Sequence, residues 1–254
     1  MLLRFLLILV RIASFVAIAP FTGGMNTGIN AQAKVGFSFF LALMLNGLVP
    51  QEPLQYASIF GYAAIVIKEA LCGIMIGFAA QICMQVTAIA GQIVDMMAGL
   101  SMVTTMDPTS GAQVTITGTV YSQVITVMMV VSGMYRYILR AIADSYQWIP
   151  VNGMVFRSDS IVEALVTFLR NFFVIGFRVA LPVFIVTFVI NITLGVLAKV
   201  APQMNMFAVG IQIKVLVGLF ILYLSSPMLG SAADFILRNM RVLMEQFILA
   251  MSSL

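Results

Sequence analysis

Five stretches of this chain, residues 12–33, 70–94, 108–135, 179–198 and 215–233, contain no Lys, Arg, Asp or Glu. A helix needs about 20 predominantly apolar residues to cross the hydrocarbon layer of a bilayer, so windows of this kind define helices made for an apolar surrounding. Shorter charge-free windows cover 35–51 and 53–67. The fold class expected is all-α. Six apolar helical segments fall near 2–19, 34–49, 59–88, 117–142, 168–198 and 207–224, with breaks at Pro20, Pro50 to Pro53, Pro108, Pro150 and Pro202. Outer-membrane strands are disfavoured, because the runs lack a ten-residue alternating rhythm and are dominated by Leu, Ala, Met and Ile.

One segment is too long for a simple span. Residues 54–107 contain no proline and would reach about 80 Å as one helix at 1.5 Å per residue. Either the chain folds back near Gly91 or Gly99, or its helices run beyond lipid and pack on other apolar protein. The tail differs in character: in residues 231–251, Asp234, Arg238, Arg241 and Glu245 recur at i, i+4, i+7 and i+11 beside Phe235, Leu237, Met240, Leu243, Met244, Phe247 and Ile248. That is an amphipathic helix, which lies on a membrane surface or docks on a partner. No linker or internal repeat divides the chain, so residues 1–254 read as a single helical domain. The N-terminal apolar stretch reads as a retained helix and not a cleaved leader, since Arg11 interrupts it and Pro20 would follow the Ala17-Ile18-Ala19 cut. With that end inside, Arg4, Arg11, Arg136, Arg140, Arg157, Arg238 and Arg241 fall on the cytoplasmic side and Lys34 and Lys199 outside, which puts both ends in the cytoplasm.

Composition removes several function classes. With 9% charged and 62% hydrophobic residues there is too little polar surface to wrap a core in water. Histidine is absent and only two cysteines occur, which excludes His-based acid/base work, Cys/His zinc sites and a disulfide framework; no cofactor is expected. The 13 basic and 9 acidic residues are scattered singly, without a run that could track a phosphate backbone, so no nucleic-acid partner is expected.

Ionisable groups inside apolar segments are costly and count as functional candidates, with snorkelling near helix ends as the alternative. They are Lys68, Glu69, Asp95, Arg178 and Lys214. Lys68 and Glu69 are adjacent, about 100° apart on a helix, so each needs a partner elsewhere. Glu69 and Asp95 are expected to make polar contacts between helices. A proton relay ranks lower, because no second acid lines up with either. Gly73 and Gly77 form a G-x-x-x-G pair, and Gly91, Asp95 and Gly99 share a face, so two stretches present bare backbone to close neighbours. Cys72 and Cys83, about 16 Å apart along a continuous helix, cannot bridge and read as small core residues. Of the 19 methionines, Met96, Met97, Met102 and Met106 cluster ahead of a polar loop. Core filler is the ordinary reading, and a deformable ring around a passing chain is the functional one. The loop itself runs through Asp107, Pro108, Thr109, Ser110, Gly111, Ala112, Gln113 and Val114 to Gly118, and such backbone is tolerated at membrane depth only where protein or water surrounds it.

Further landmarks are Arg11 with Pro20 and Lys34, the run from Glu69 to Phe78, Ala90 to Asp95, Asp107-Pro108, Ser145 with Pro150, Ala180-Leu181-Pro182, and Asn191 to Gly195. Pro202-Gln203-Met204-Asn205, followed by Lys214 and Gly218, is the most specific piece. In order and spacing these resemble the FliR/SctT family of type III export-gate membrane proteins, over nearly the whole chain. The resemblance implies an all-helical, non-enzymatic subunit of the flagellar basal body in the bacterial inner membrane. Its partners would be FliP-like and FliQ-like subunits, FlhB-like and FlhA-like proteins, membrane lipid and unfolded export substrates. It further implies a closed helical pore raised out of the bilayer plane, with Met106 to about Gly118 as the plug loop and Met96, Met97 and Met102 as pore-lining candidates. One departure is that Gln113 precedes Val114, where family members often carry proline.

Three other readings compete. The injectisome counterpart of the same gate shares every feature above. A small-solute transporter would use Glu69, Asp95 and Arg178 at broken helices, but paired halves are not visible. An intramembrane enzyme lacks both a histidine and a paired acid to serve as base.

Overall fold

Proline and glycine set most of the helix ends. In a computed structural model describing residues 2–20, 30–49, 59–100, 105–106, 113–155, 158–201, 203 and 206–252, helix α1 (Leu2–Ile18) stops just ahead of Pro20, and α2 (Ala31–Asn46) stops at Gly47. Helix α3 (Ile59–Ala98) stops at Gly99, whose φ of +77° is the left-handed conformation that closes a helix. Helix α4 (Ile116–Val131) is followed by a break at Ser132-Gly133, with Gly133 at φ +71°, and α5 (Met134–Trp148) ends ahead of Pro150. Helices α6 (Ser158–Val200) and α7 (Met206–Met251) complete the order. The residues between α3 and α4 include two-residue strands, β1 (Thr105–Met106) and β2 (Gln113–Val114), paired antiparallel with Thr105 opposite Val114.

The helices differ from the expected segments in several places, and α3 runs on to Ala98 past the expected 88 while α6 begins at Ser158, ahead of the expected 168. The stretch near 117–142 is two helices, because Gly133 adopts a backbone conformation that no helix interior holds. The segments at 207–224 and 231–251 are one helix, α7, which passes through Pro227, just as α6 passes through Pro182. A proline removes one backbone hydrogen bond and crowds the preceding turn, yet helices of 43 and 46 residues continue through it. The proline-free stretch does not fold back at Gly91; α3 is continuous for 40 residues. Among the described residues three helical stretches, Ile59–Ala98, Asp159–Val200 and Gln212–Met251, are long and apolar enough to cross a membrane, and α4 with α5 makes a fourth if that pair is one span. α1 and α2 are shorter, at 17 and 16 residues.

The chain divides into two compact units. Unit 1 comprises 1–83, 130–169 and 237–254, and unit 2 comprises 84–129 and 170–236, so α3, α6 and α7 each contribute to both. In unit 1, α1 buries Leu7, Ile8, Arg11, Ile12, Phe15 and Val16, a single stripe at helical spacing. Phe5 meets Phe39 of α2 edge to face, with centroids 5.6 Å apart, and Tyr62 of α3 donates to the Leu3 carbonyl at 3.0 Å. The C-terminal part of α7 buries Leu237, Met240, Leu243, Met244, Phe247 and Ile248 and exposes Arg238, Arg241 and Glu245. Its apolar stripe is thus covered within this chain, and Glu245 accepts the Tyr137 hydroxyl of α5 at 2.6 Å. In unit 2 a core forms from Ala90 and Val94 of α3, Tyr121 of α4, and Ala180 and Val183 of α6, with Ile221, Leu222 and Leu229 of α7 packed against it.

Candidate functional site

Two buried polar clusters, one per unit, organise the residues singled out above. In unit 2, Asp95 on α3 is 1% exposed and lies at the first turn of α4. Its carboxylate accepts the Thr117 backbone N–H, at 3.1 Å to Oδ2 and 3.3 Å to Oδ1, and also the Thr117 hydroxyl. Thr115, just before the helix, accepts the Gly118 N–H on its own hydroxyl oxygen at 3.2 Å, as an N-cap does. A helix N-terminus carries partial positive charge and unsatisfied N–H groups, so a carboxylate there is stabilised and its desolvation offset. One turn earlier on α3, Gly91 lies against Gly118, and a Cβ on either residue would collide with backbone or with the Thr115 hydroxyl. Backbone contact and carboxylate together fix the start of α4 on α3.

This moves the end of the polar loop. Ile116, Thr117 and Gly118 belong to α4, so the loop expected to reach Gly118 ends at the Thr115 cap. Of the loop residues, Met106, Gln113 and Val114 lie in the β1–β2 pair. Asp107, Pro108, Thr109, Ser110, Gly111 and Ala112 lie outside the described residues, as do Met102, Pro202, Met204 and Asn205. Met96 is exposed and Met97 half-buried on the last turn of α3. Gly99, which ends α3, stands near the Lys214 side chain of α7, and Gly218 packs on Ala98. Pro182 is half-buried in α6; Asn191, Gly195 and Gln203 are exposed.

In unit 1 the partner of Glu69 is Arg11, and both side chains are fully buried. Arg11 donates from Nε to Glu69 Oε2 at 2.6 Å and from Nη2 to Oε1 at 3.1 Å, a two-pronged pair. Its Nη1 donates to the Ile149 carbonyl at 2.9 Å, and its guanidinium lies 4.2 Å from the centre of the Tyr146 ring. Glu69 Oε1 also accepts the Asn152 N–H at 3.0 Å, where Asn152 has φ +72°. α1, α3 and the turn after α5 are tied by one ion pair with its remaining hydrogen-bonding capacity largely used. Gly73 lies against the Arg11 carbonyl and Ser14, and a Cβ on Gly77 would stand 2.9 Å from the Phe15 carbonyl oxygen, so the G-x-x-x-G pair seats α1 on α3. Lys68 and Arg178 are exposed, and Cys72 and Cys83 are buried free thiols.

The Arg11 partnership and the threonines that meet Asp95 were not singled out from the residues alone. Thr115 carries a local signal, a capping residue directly before an apolar run. Arg11 carries only its cost, a cation inside an apolar stripe. Among the described residues no group of three or more Cys, Asp or Glu could hold a metal ion.

Long apolar helices seated on one another by glycine and stapled by buried charge define an all-α protein of the membrane type. A model of the family "Bacterial export proteins, family 1" matches residues 2–240, and the chain belongs to that family. It is 29% identical over 221 residues to the flagellar biosynthetic protein FliR of Bacillus subtilis, covering 86% of this chain and 84% of the relative. The FliR of Pectobacterium carotovorum is 26% identical over 246 residues, 96% of this chain and 92% of that one. For the FliR of Escherichia coli the figures are 23% over 225 residues, 87% and 84%.

Proposed function

We propose that this chain is a structural, non-enzymatic subunit of the flagellar type III protein-export gate in the inner membrane. The observation that carries this reading is the family match over residues 2–240, joined by relatives named for flagellar biosynthesis over most of their length. The exposed apolar surface supports it. Phe173, Phe177, Phe188, Ile192 and Val196 of α6 and Leu216, Phe220 and Leu224 of α7 face outward, far more greasy surface than a lone water-soluble chain leaves uncovered. In this reading residues 1–254 act as one helical gate subunit whose outward faces meet lipid and the FliP-like and FliQ-like subunits, with FlhB-like and FlhA-like proteins in the wider apparatus. Unfolded export substrates pass through the pore so formed. The loop from Met106 to Val114 plugs that pore at rest, Met96, Met97 and Met102 contribute to its lining, and the Asp95 contact anchors the loop where α4 begins. Gly73, Gly77, Gly91 and Gly99 serve helix packing, and the segment around Pro202, Gln203, Met204 and Asn205 serves assembly.

Coexpression with the FliP-like and FliQ-like subunits, mild-detergent purification and mass measurement test this function. A defined hetero-oligomer containing this chain is expected. A monodisperse lone chain that restores solute uptake to liposomes would favour a transporter instead.

A further inference from the structure

Unit 2 contains a cavity of about 190 Å³ walled by α4, α6 and α7, and its lining includes Tyr121, Ile175, Arg178, Pro182, Ser225 and Leu229. Among the described residues the lining is mostly apolar, with Arg178 as its one charged residue. Arg178 is exposed, and among the described residues its side chain makes no hydrogen bond or ion pair. Along α6 the nearest charged neighbours are Arg170 and Lys199, so this cation stands by itself on a helix apolar enough to cross a membrane. A charge on such a helix requires a counter-charge or water. Pro182 adds to the polarity at the same end. Having no N–H, it leaves the Arg178 carbonyl, one turn earlier, without its helical donor. Pro227 does the same to the Tyr223 carbonyl in α7, next to the Met228 and Leu229 that line the cavity.

We propose that this cavity is a binding site for one anionic glycerophospholipid. A stretch of acyl chain lies among Ile175, Pro182 and Leu229, and the phosphate is held by the Arg178 guanidinium. Two features select a lipid. The walls belong to helices made for a bilayer, where lipid is the surrounding medium, and among the described residues the apolar chamber adjoins one cation without an ion-pair partner, the complement of a molecule with a hydrocarbon tail and an anionic head. A soluble phosphate would leave the chamber unfilled, and an apolar side chain from another protein would leave Arg178 uncompensated.

The test uses the purified chain in the complex it forms on coexpression, or alone if it forms none, equilibrated in nanodiscs of phosphatidylglycerol or of phosphatidylcholine. Retained lipid is counted by native mass spectrometry. The expected result is retention of one phosphatidylglycerol with a preference of about tenfold or more over phosphatidylcholine, the discrimination that charge-assisted hydrogen bonds provide. Arg178→Gln should reduce that preference towards parity, and Arg178→Lys should keep part of it. Melting of each variant in detergent verifies folding, which the exposure of Arg178 leaves undisturbed. Equal retention of the two lipids, unchanged retention by Arg178→Gln, release of the lipid by inorganic phosphate alone, or photocrosslinking from Phe235 to another protein and not to lipid would each overturn the proposal.

Discussion

Asp95 and Thr117, on different helices, are joined by both the amide and the hydroxyl of the threonine, the amide lying 3.1 Å from the carboxylate. A single buried carboxylate thereby takes up one of the orphan N–H groups at the start of α4 and compensates its dipole. Because that start follows directly on the loop between α3 and α4, the strength of this contact sets how firmly the loop's second end is held.

Asp95→Ala removes hydrogen bonds to a charged group and leaves the Thr117 donors unpaired, a local loss of about 1.5–3 kcal/mol. Amide exchange at Thr117 and Gly118 should accelerate by about tenfold to a hundredfold, since 1.4 kcal/mol is a factor of ten. Hydrogen-exchange mass spectrometry over residues 113–125 reads this directly, and unaltered protection there would show that α4 is fixed by other contacts.

Glu69→Ala strands a fully buried arginine. A cost of about 3–5 kcal/mol is expected, whereas the double change Arg11→Met with Glu69→Leu should recover most of it, because breaking a buried pair is worse than replacing it. Thermal unfolding of the purified protein compares the two. Equal melting temperatures for the single and double variants would mean that the ion pair does not control this crossing.

Glycines divide by what a methyl group would meet. Gly91→Ala places a Cβ against Gly118 backbone and should destabilise by more than about 1 kcal/mol, the scale of overpacking in a tight contact. Gly195→Ala meets nothing within 4 Å and sits inside α6, so it should stabilise the isolated chain by about 0.5–1 kcal/mol. If Gly195→Ala instead impairs assembly while raising chain stability, the bare backbone of Gly195 is a partner contact.

Cys72 and Cys83 are buried and unbridged, so both should resist maleimide in the folded protein and react only after unfolding. Fast labelling of either thiol under native conditions would place a water path beside α3.

The helical fold was legible because long charge-free runs and the positions of Pro20, Pro150 and Pro202 carry their meaning locally. The expected segment 168–198 already ran through Pro182, as α6 does, whereas the expected gap between 224 and 231, which holds Pro227, is helical, because in a very long apolar helix the loss of one hydrogen bond does not end the run. Gly133 was indistinguishable in sequence from a glycine inside a helix. At the sites, Glu69 and Asp95 stood out because a carboxylate in an apolar segment demands a partner; Gly91 and Asp95 both meet the start of α4, whereas Gly99 ends α3 and stands near Lys214. Which partner each meets was not legible. Arg11 and Glu69 are 58 positions apart, and no periodicity links residues on different helices. Thr115 could have been read as a cap, which would have started α4 at Ile116, one residue earlier than expected.

In the proposed function the loop between α3 and α4 keeps an export pore shut. Removing residues 107–112, while leaving β1, β2, Thr115 and Asp95 in place, isolates that role in the assembled complex. Single-channel or flux recording in planar bilayers should then show ion leakage that the intact complex lacks, with the same subunit composition by mass. A correctly assembled deletion complex whose conductance stays at the level of the intact one would show that this loop is not what closes the pore.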